Sequence, residues 1–165
     1  MSLFFTLLLL GTQPSTFIEW EMPQASVIVN VHTHTLALIE SRHVEEIHSV
    51  ATGKKGDETP LGKFTVRVKA KNPYYRKKNI AGGAPNNPLG SRWIGFDALG
   101  TEGRTYGLHG TNRPGSIGYR VSAGCIRLAN ESVERLYERL EVGSTIVIVD
   151  EKASFEAIGK KYGLL

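Results

Sequence analysis

Cysteine is the residue that this sequence has least of: there is one, Cys125, among 165 residues. A single cysteine excludes an intramolecular disulfide. A lone cysteine is usually either a small buried hydrophobe or a reactive thiol. The residues around Cys125 therefore have to decide between a structural and a chemical role.

Long hydrophobic runs are also missing. The main apolar stretch, Leu3 to Leu10, is interrupted by Thr6 and is too short to span a bilayer. No Lys or Arg precedes it, and no small-x-small cleavage site follows it directly, so it is a poor export signal. Two interpretations of residues 1–25 stay open, namely an export element and an N-terminal strand packed on the domain. Membrane anchoring is left open with them.

The sequence lacks a concentrated charge of either sign. Its net charge is +4, and the basic clusters Lys54-Lys55 and Arg76-Lys77-Lys78 are short. No basic stripe is interleaved with aromatic residues, which argues against a nucleic-acid partner. The length and the 41% hydrophobic content fit one globular domain with one core.

Short segments rich in β-branched and aromatic residues predict a mainly β domain. Segments with many Gly, Pro and Asn residues, at 53–62 and 79–90, predict long loops between some of them. The predicted strands are Val27–Val31, Leu36–Ile39, Val44–Val50, Phe64–Val68, Trp93–Phe96, Tyr106–Leu108 and Thr145–Val149.

One helix is predicted after Cys125. Asn130 is a favourable N-cap, and Gly143 is a favourable end. Between them, four apolar residues recur at helical spacing and form one face: Val133, Leu136, Tyr137 and Leu140. Residues 151–165 are predicted to be a tail, with a short helix at 153–162.

Two patterns suggest ligand sites that closer inspection rejects. The segment Gly56 to Lys63 resembles a phosphate-binding loop, but its spacing is one residue too long and Phe64 stands where Ser or Thr would bind magnesium. His32 and His34 lie two apart on a predicted strand and would share one face. Zinc needs at least three protein ligands, and no third is evident. We therefore expect no metal and no organic cofactor.

The neighbours of Cys125 favour a reactive thiol. Small residues precede it, and Gly124 permits a turn that can aim backbone N–H groups at one point, as in an oxyanion hole. In an extended segment Arg127 would share a face with Cys125. Its charge would favour the thiolate and could hold a substrate carboxylate.

His109 is the candidate base for this thiol. It follows an apolar segment and precedes Gly110, sixteen positions before Cys125. A fully extended segment of that length would span roughly 50 Å, so the chain must fold back for contact. Asn112, Pro114 and Gly118 make that reversal easy. We expect His109 to lower the pKa of the thiol by ion pairing and to take up its proton.

Several separate motifs, in order, resemble the L,D-transpeptidase catalytic domain, or YkuD-like family. The resemblance covers roughly residues 26 to 150 and is specific because the motifs are independent. One departure is Ala123, where many members of the family carry His. The matching segments are Thr59-Pro60-Leu61-Gly62, Asn87-Pro88-Leu89-Gly90, Arg92-Trp93-Ile94-Gly95, His109-Gly110 and Ser122-Ala123-Gly124-Cys125.

The resemblance implies a β-sandwich-like domain and a cysteine acyl transfer on peptidoglycan stem peptides. It implies Cys125 as nucleophile, His109 as base and the Gly110 carbonyl as the group that orients the imidazole. Ser122, Gly124 and Arg127 would then serve the oxyanion or the substrate. We expect a monomer that acts outside the cytoplasmic membrane and forms 3-3 cross-links in the bacterial wall.

Two alternatives remain open from the sequence. In the first, water replaces the acceptor amine and the same residues act as an L,D-carboxypeptidase. In the second, the domain only binds the wall, although binding alone needs no activated thiol.

Overall fold

The computed structural model describes residues 24–165, so the apolar run Leu3 to Leu10 lies outside the described residues. In that part of the chain there are ten strands and two α-helices. The strands are β1 (Ser26–Asn30), β2 (Thr35–Glu40), β3 (His43–Ser49), β4 (Thr52–Gly53), β5 (Gly62–Lys71), β6 (Arg92–Phe96), β7 (Tyr106–His109), β8 (Arg120–Ser122), β9 (Ile126–Arg127) and β10 (Thr145–Val149). The helices are α1 (Asn130–Arg139) and α2 (Phe155–Lys161).

Eight strands form one mixed sheet in the order β3-β2-β1-β10-β5-β6-β7-β9, and β4 pairs with β8 in a separate parallel ribbon. Strands β1 and β10 are parallel, as are β7 and β9, whereas the pairs from β10 through β5 and β6 to β7 are antiparallel. The parallel pairing of β7 with β9 matters most for the site, because it fixes which residues stand side by side there.

The sheet curls over its main core. Leu36 of β2, Ile94 of β6 and Ile126 of β9 belong to one buried cluster, although their strands lie far apart in the sheet. Helix α1 contributes Leu136 to the same cluster. Residues near opposite ends of the sheet can share a core only if its two parts face one another, as in a sandwich. A mainly β fold with a packed helix after Cys125 is thereby confirmed.

Part of the sheet is covered on its second face as well. A smaller cluster brings Ile28 of β1 and Val147 of β10 against Ile158 of α2. Every residue of β1 is buried, which explains its continuous apolar sequence, since a strand covered on both faces does not alternate. Helix α2 lies within the predicted 153–162 segment, and its start is capped by Ser154 Oγ, which accepts from Ala157 N at 3.2 Å.

Helix α1 differs from its prediction at both ends. Its N-cap is Ala129, and Asn130 is the first helical residue, with its side chain directed to another part of the chain. The helix ends at Arg139, because Leu140 turns to an extended conformation and is fully buried. Gly143 lies beyond this end, where its N–H donates to the Val66 carbonyl at 2.9 Å.

Among residues 24–165, no helix has the length and apolar character needed to cross a membrane.

Candidate active site

The candidate site lies on the face of β6, β7 and β9 that points away from the main core. Ile94, Leu108 and Ile126 are fully buried in that core. Because successive side chains of a strand point to opposite faces, the residues next to these three point outward. Trp93 pairs with His109, and His109 pairs with Arg127, so three side chains form one row across three strands.

Cys125 immediately precedes β9 and alternates with the core residue Ile126. It therefore shares the outward face with Arg127, one step before the row of Trp93, His109 and Arg127. Its thiol lies 3.3 Å from the carbonyl oxygen of Thr105, the residue just before β7, which places Cys125 beside the strand that carries His109. The parallel register brings together the two residues that the sequence separates by sixteen positions.

The imidazole of His109 has a defined tautomer. Its Nδ1 lies 2.6 Å from the carbonyl oxygen of Gly110. A carbonyl oxygen can only accept, so Nδ1 carries the proton. In the neutral ring, Nε2 then keeps its lone pair and is the atom able to accept a proton. This is the orienting contact expected of Gly110.

The surroundings of His109 keep it neutral. The residue is 4% exposed, and its ring stacks on Trp93 with centroids 5.7 Å apart and planes 20° apart. Burial lowers the pKa of His109 to about 4, and the nearby charge of Arg127 acts in the same direction. Hydrogen bonds to the backbone of Gly110 and Leu89 oppose that shift without overcoming it.

The thiol of Cys125 is also held in its neutral form. Burial raises its pKa above the ordinary value, against the opposing effects of the Gly107 backbone, Lys77 and Arg127. The thiol donates to the carbonyl of Thr105 at 3.3 Å. The thiolate–imidazolium pair expected from the sequence stays a prediction, and the direction of both pKa shifts argues against it in the resting site. Desolvation disfavours both charged forms, and this outweighs the positive charge of Arg127.

Within the described residues, no hydrogen bond joins the thiol to the imidazole. Links of this kind are often long in enzymes without substrate and tighten when substrate binds. The arrangement supplies a protonated thiol and an unprotonated base on adjacent strands. Such a pair can exchange one proton when a carbonyl group is brought to the sulfur.

Ser122 and Gly124 make hydrogen bonds that the sequence did not predict. Ser122 is buried, and its Oγ donates to the Cys125 carbonyl at 2.5 Å and accepts from Gly124 N at 3.2 Å. Ser122 thus braces the turn before the thiol. The N–H of Gly124 is engaged and is not free for an oxyanion. The N–H of Cys125 makes no hydrogen bond to the part of the chain that the structure describes.

The turn at Gly124 does require glycine. Its φ is +100°, a conformation that L side chains rarely adopt, and an added Cβ would lie 3.0 Å from the Tyr106 ring. The expected sharp turn is present, although it works by aligning Cys125 and not by offering its own N–H.

Arg127 is a cation without a carboxylate partner. It forms no ion pair with any acidic group of residues 24–165, and its buried Nε has no hydrogen-bond partner there. A buried guanidinium donor without a partner is costly, and an anion would supply that partner. Arg127 lies directly across from His109 in the sheet.

Three groups that contact the candidate site were not assigned to it from the sequence. Trp93 belongs to a recognised motif, but nothing in the pattern indicated that its ring packs on His109. The Thr105 carbonyl acts through the backbone and leaves no signal in residue type. Asn130 was interpreted as a helix cap, since Asn before an apolar helical pattern usually is one.

His32 and His34 have separate partners. They lie in the turn between β1 and β2, where His34 has a φ of 53°, and not on a strand as predicted. His32 Nδ1 is 3.1 Å from Asp150 Oδ1, and His34 Nδ1 is 3.2 Å from Thr52 Oγ. Across residues 24–165, no three potential metal ligands of the His, Cys, Asp or Glu type gather in one place.

Comparison with known proteins points to one family. The model of the family described as YkuD, L,D-transpeptidase catalytic domain, matches residues 24–149. A curated relative named putative L,D-transpeptidase YqjB, from Bacillus subtilis, is 57% identical over 139 residues, which cover 84% of this chain and 79% of the relative. A second from the same organism, putative L,D-transpeptidase YkuD, is 33% identical over 74% of this chain and 64% of its own length.

Solved structures agree on the fold. An L,D-transpeptidase from Stackebrandtia nassauensis aligns with a TM-score of 0.61 at 23% identity, over 86% of this chain and 64% of that one. An L,D-transpeptidase from Mycobacterium tuberculosis aligns with a TM-score of 0.61 at 20% identity, over 76% and 57%. The chain thus spans less than two thirds of both solved structures and of the second curated relative.

Proposed function

The chain belongs to the L,D-transpeptidase catalytic-domain family, and we propose that it transfers an acyl group between peptidoglycan stem peptides through a thioester on Cys125. The observation that carries this proposal is the tautomer of His109. Its Nδ1–H is tied to the Gly110 carbonyl, which leaves Nε2 as a neutral acceptor on the strand beside the thiol.

The first step begins from two neutral groups. As the sulfur attacks the carbonyl carbon of the third stem residue, His109 Nε2 takes the thiol proton, and the carbonyl oxygen becomes an oxyanion. The N–H of Cys125 is the backbone donor available to that oxyanion. Because charge develops only during attack, the raised pKa of Cys125 and the lowered pKa of His109 both suit a concerted proton transfer.

Collapse of the oxyanion completes acylation. The bond to the terminal D-alanine breaks, and the imidazolium of His109 gives its proton to the leaving amine. The third stem residue is then held as a thioester on Cys125. An amine from a second stem attacks the thioester carbon and loses a proton to His109. The C–S bond then breaks, and His109 returns that proton to the sulfur. A 3-3 cross-link forms, and no metal or organic cofactor takes part.

Arg127 is proposed to hold the carboxylate of the leaving D-alanine. It stands across from His109, which protonates the amine of that same residue. The carboxylate is separated from this amine by one carbon, so a guanidinium beside the base is suitably placed. A free terminal carboxylate would then be a requirement for the donor, because an uncharged end would leave the buried Nε of Arg127 unpaired.

The test uses the pure protein and a disaccharide tetrapeptide, with products identified by mass. We expect a cross-linked dimer and free D-alanine from the wild type, and neither from Cys125→Ala. Release of D-alanine without dimer would replace the transpeptidase with an L,D-carboxypeptidase. Binding of the tetrapeptide without any product would support the non-catalytic alternative.

We propose that this chain acts outside the cytoplasmic membrane, because the substrate of its family lies there. Fractionation of cells, with sequencing of the mature N-terminus, tests this location and the fate of residues 1–25. A protein found wholly in the cytosol with Met1 retained would contradict it.

A further inference from the structure

The side chain of Asn130 joins three segments of the chain at the end of the candidate site. Its Oδ1 accepts from the backbone N–H of Thr111 at 3.1 Å and of Ser91 at 3.3 Å. Its Nδ2 donates to the Thr111 carbonyl at 3.2 Å. Although Asn130 is the first residue of α1, it caps no N–H of its own helix. The amide is therefore committed to the loop that follows His109.

The contact with Thr111 reaches His109 through one peptide group. The N–H of Thr111 and the carbonyl of Gly110 belong to the same planar unit. The N–H and the carbonyl of this unit point in opposite directions within the plane. Asn130 Oδ1 accepts from the N–H, and the carbonyl accepts from His109 Nδ1 at 2.6 Å. Fixing the N–H of a planar group fixes the direction of its carbonyl as well.

The chain has left space for this amide. A Cβ at Gly110 would lie 2.0 Å from Asn130 Oδ1, and a Cβ at Gly90 would lie 2.2 Å from the same atom. Two glycines on separate segments thus face one oxygen. Any other residue at either position would displace the amide or the loop. This packing explains the glycine at position 110, whereas Gly90 is also required by its φ of +63°.

We propose that Asn130 is a positioning residue for the base, acting on His109 through the Gly110–Thr111 peptide group. Accepting the N–H polarises the peptide and makes the Gly110 carbonyl a stronger acceptor for His109 Nδ1–H. The amide also prevents rotation of the peptide plane, which would release the imidazole. The role in turnover rests on the proposed function of His109, whereas the coupling between the two residues does not.

The choice of an amide over a carboxylate has a physical reason. An Asp at position 130 would keep the acceptor for Thr111 N–H but lose the donor to the Thr111 carbonyl. Its negative charge would add to the field at His109, where Arg127 is the charged group on the neighbouring strand. Arg92, which follows Ser91 in the chain, is paired with Glu134 at 3.8 Å. A carboxylate would therefore favour the imidazolium, which is the wrong resting form for a base.

The test measures His109 directly and turnover separately. NMR titration of the imidazole gives the tautomer and the pKa of His109 in wild type, Asn130→Asp, Asn130→Ala and Glu131→Gln. Glu131 is the matched control, because it is exposed, acidic and in the same helical turn. Steady-state kcat and KM with the disaccharide tetrapeptide are measured on the same four proteins, with thermal melting as the check on folding.

We expect Asn130→Asp to raise the pKa of His109. The acid limb of the pH–rate profile should then move to higher pH. Asn130→Ala should broaden the Nδ1–H resonance and lower kcat by about ten- to a hundredfold, with KM changed by less than about threefold. Glu131→Gln should match wild type in every measurement.

An unshifted His109 titration in Asn130→Asp would overturn the proposal, as would wild-type kcat in Asn130→Ala. A fall in kcat that only follows the loss of folded protein would assign Asn130 a structural role. If Asn130→Ala does not fold, the Asp variant still decides the coupling. Turnover by Cys125→Ala would instead sink the proposed function and leave the NMR result standing.

Discussion

The two halves of the curled sheet use their faces differently. Around β1 and β10, both faces are apolar, with the main core on one side and α2 on the other. Around β7 and β9, one face joins the same core, while the opposite face carries Trp93, His109, Cys125 and Arg127. The same strand geometry thus supports one half that is packed on both faces and another half that carries the candidate site on its second face.

The difference lies in how polar groups are compensated. In the first half, the buried side chains need no hydrogen-bond partners, because residues such as Ile28 and Val147 carry no polar side-chain atom. In the second half, the pKa shifts of the buried imidazole and the partly buried thiol favour their neutral forms, and each donates to a backbone carbonyl, of Gly110 and Thr105 respectively. Backbone carbonyls thereby replace the water that these groups lose on burial. The catalytic half should therefore respond to pH and to polar substitution, and the packed half to volume.

The largest expected effect is on turnover, from removal of the base. His109→Gln keeps a neutral polar side chain but has no atom that can accept the thiol proton. We expect kcat/KM to fall by about a hundred- to a thousandfold, and the pH dependence of iodoacetamide labelling of Cys125 to change. An identical labelling profile in the two proteins would separate His109 from the thiol and remove the basis for the comparison.

A substitution in the packed half should lower stability and leave turnover unchanged. Ile158→Ala removes a fully buried side chain of α2 and should lower the free energy of unfolding by about 2–5 kcal/mol. Urea denaturation gives this value, and kcat per folded molecule should match wild type. Lys160→Ala, an exposed change on the same helix, is the control and should stay within about 0.5 kcal/mol. Loss of kcat in the still-folded Ile158→Ala variant would mean that the halves are not independent.

Protonation of His109 should make the free energy of unfolding depend on pH. The pKa of His109 falls to about 4 on folding, below its unfolded value, so the neutral ring stabilises the fold fully above about pH 6.5. This stability is lost as pH falls from there towards 4, and it amounts to as much as about 3 kcal/mol. In His109→Gln, the decline of unfolding free energy between pH 7 and pH 4 should be shallower. Parallel declines in the two proteins would contradict the assigned cause.

We expect His32→Ala to leave turnover unchanged. His32→Ala alters a half-exposed pair with Asp150, outside the row that carries His109. Turnover and thiol labelling should match wild type, and a chelator should leave activity unchanged. Loss of activity on chelation would reopen the metal interpretation that the sequence analysis rejected.

Sequence patterns predicted the elements better than their contacts. Strands such as Thr145–Val149 and the apolar face of α1 follow from local periodicity, which is a property of residues a few positions apart. The placement of Cys125 beside β7 depends on a parallel register between distant segments, and no local pattern encodes that. The motif resemblance supplied it instead.

The side-chain contacts that the sequence did not predict have a common origin. Ser122, Gly124 and Asn130 were assigned from what each residue type usually does near a nucleophile or a helix start. In the fold, Ser122 Oγ and Asn130 Oδ1 both accept backbone N–H groups of their surroundings. Which N–H a short polar side chain finds is decided by tertiary packing. The raised pKa of the thiol was not predicted for the same reason, because the burial that raises it cannot be read from the neighbours of Cys125 in the sequence.

The central claim is that an acyl group rests on Cys125. Brief incubation of the protein with disaccharide tetrapeptide, followed by acid quench and intact mass measurement, tests it most directly. We expect an added mass equal to the donor less D-alanine, located on the peptide that contains Cys125 and absent from Cys125→Ala. An adduct on any other residue, or release of D-alanine by Cys125→Ala at the wild-type rate, would contradict it.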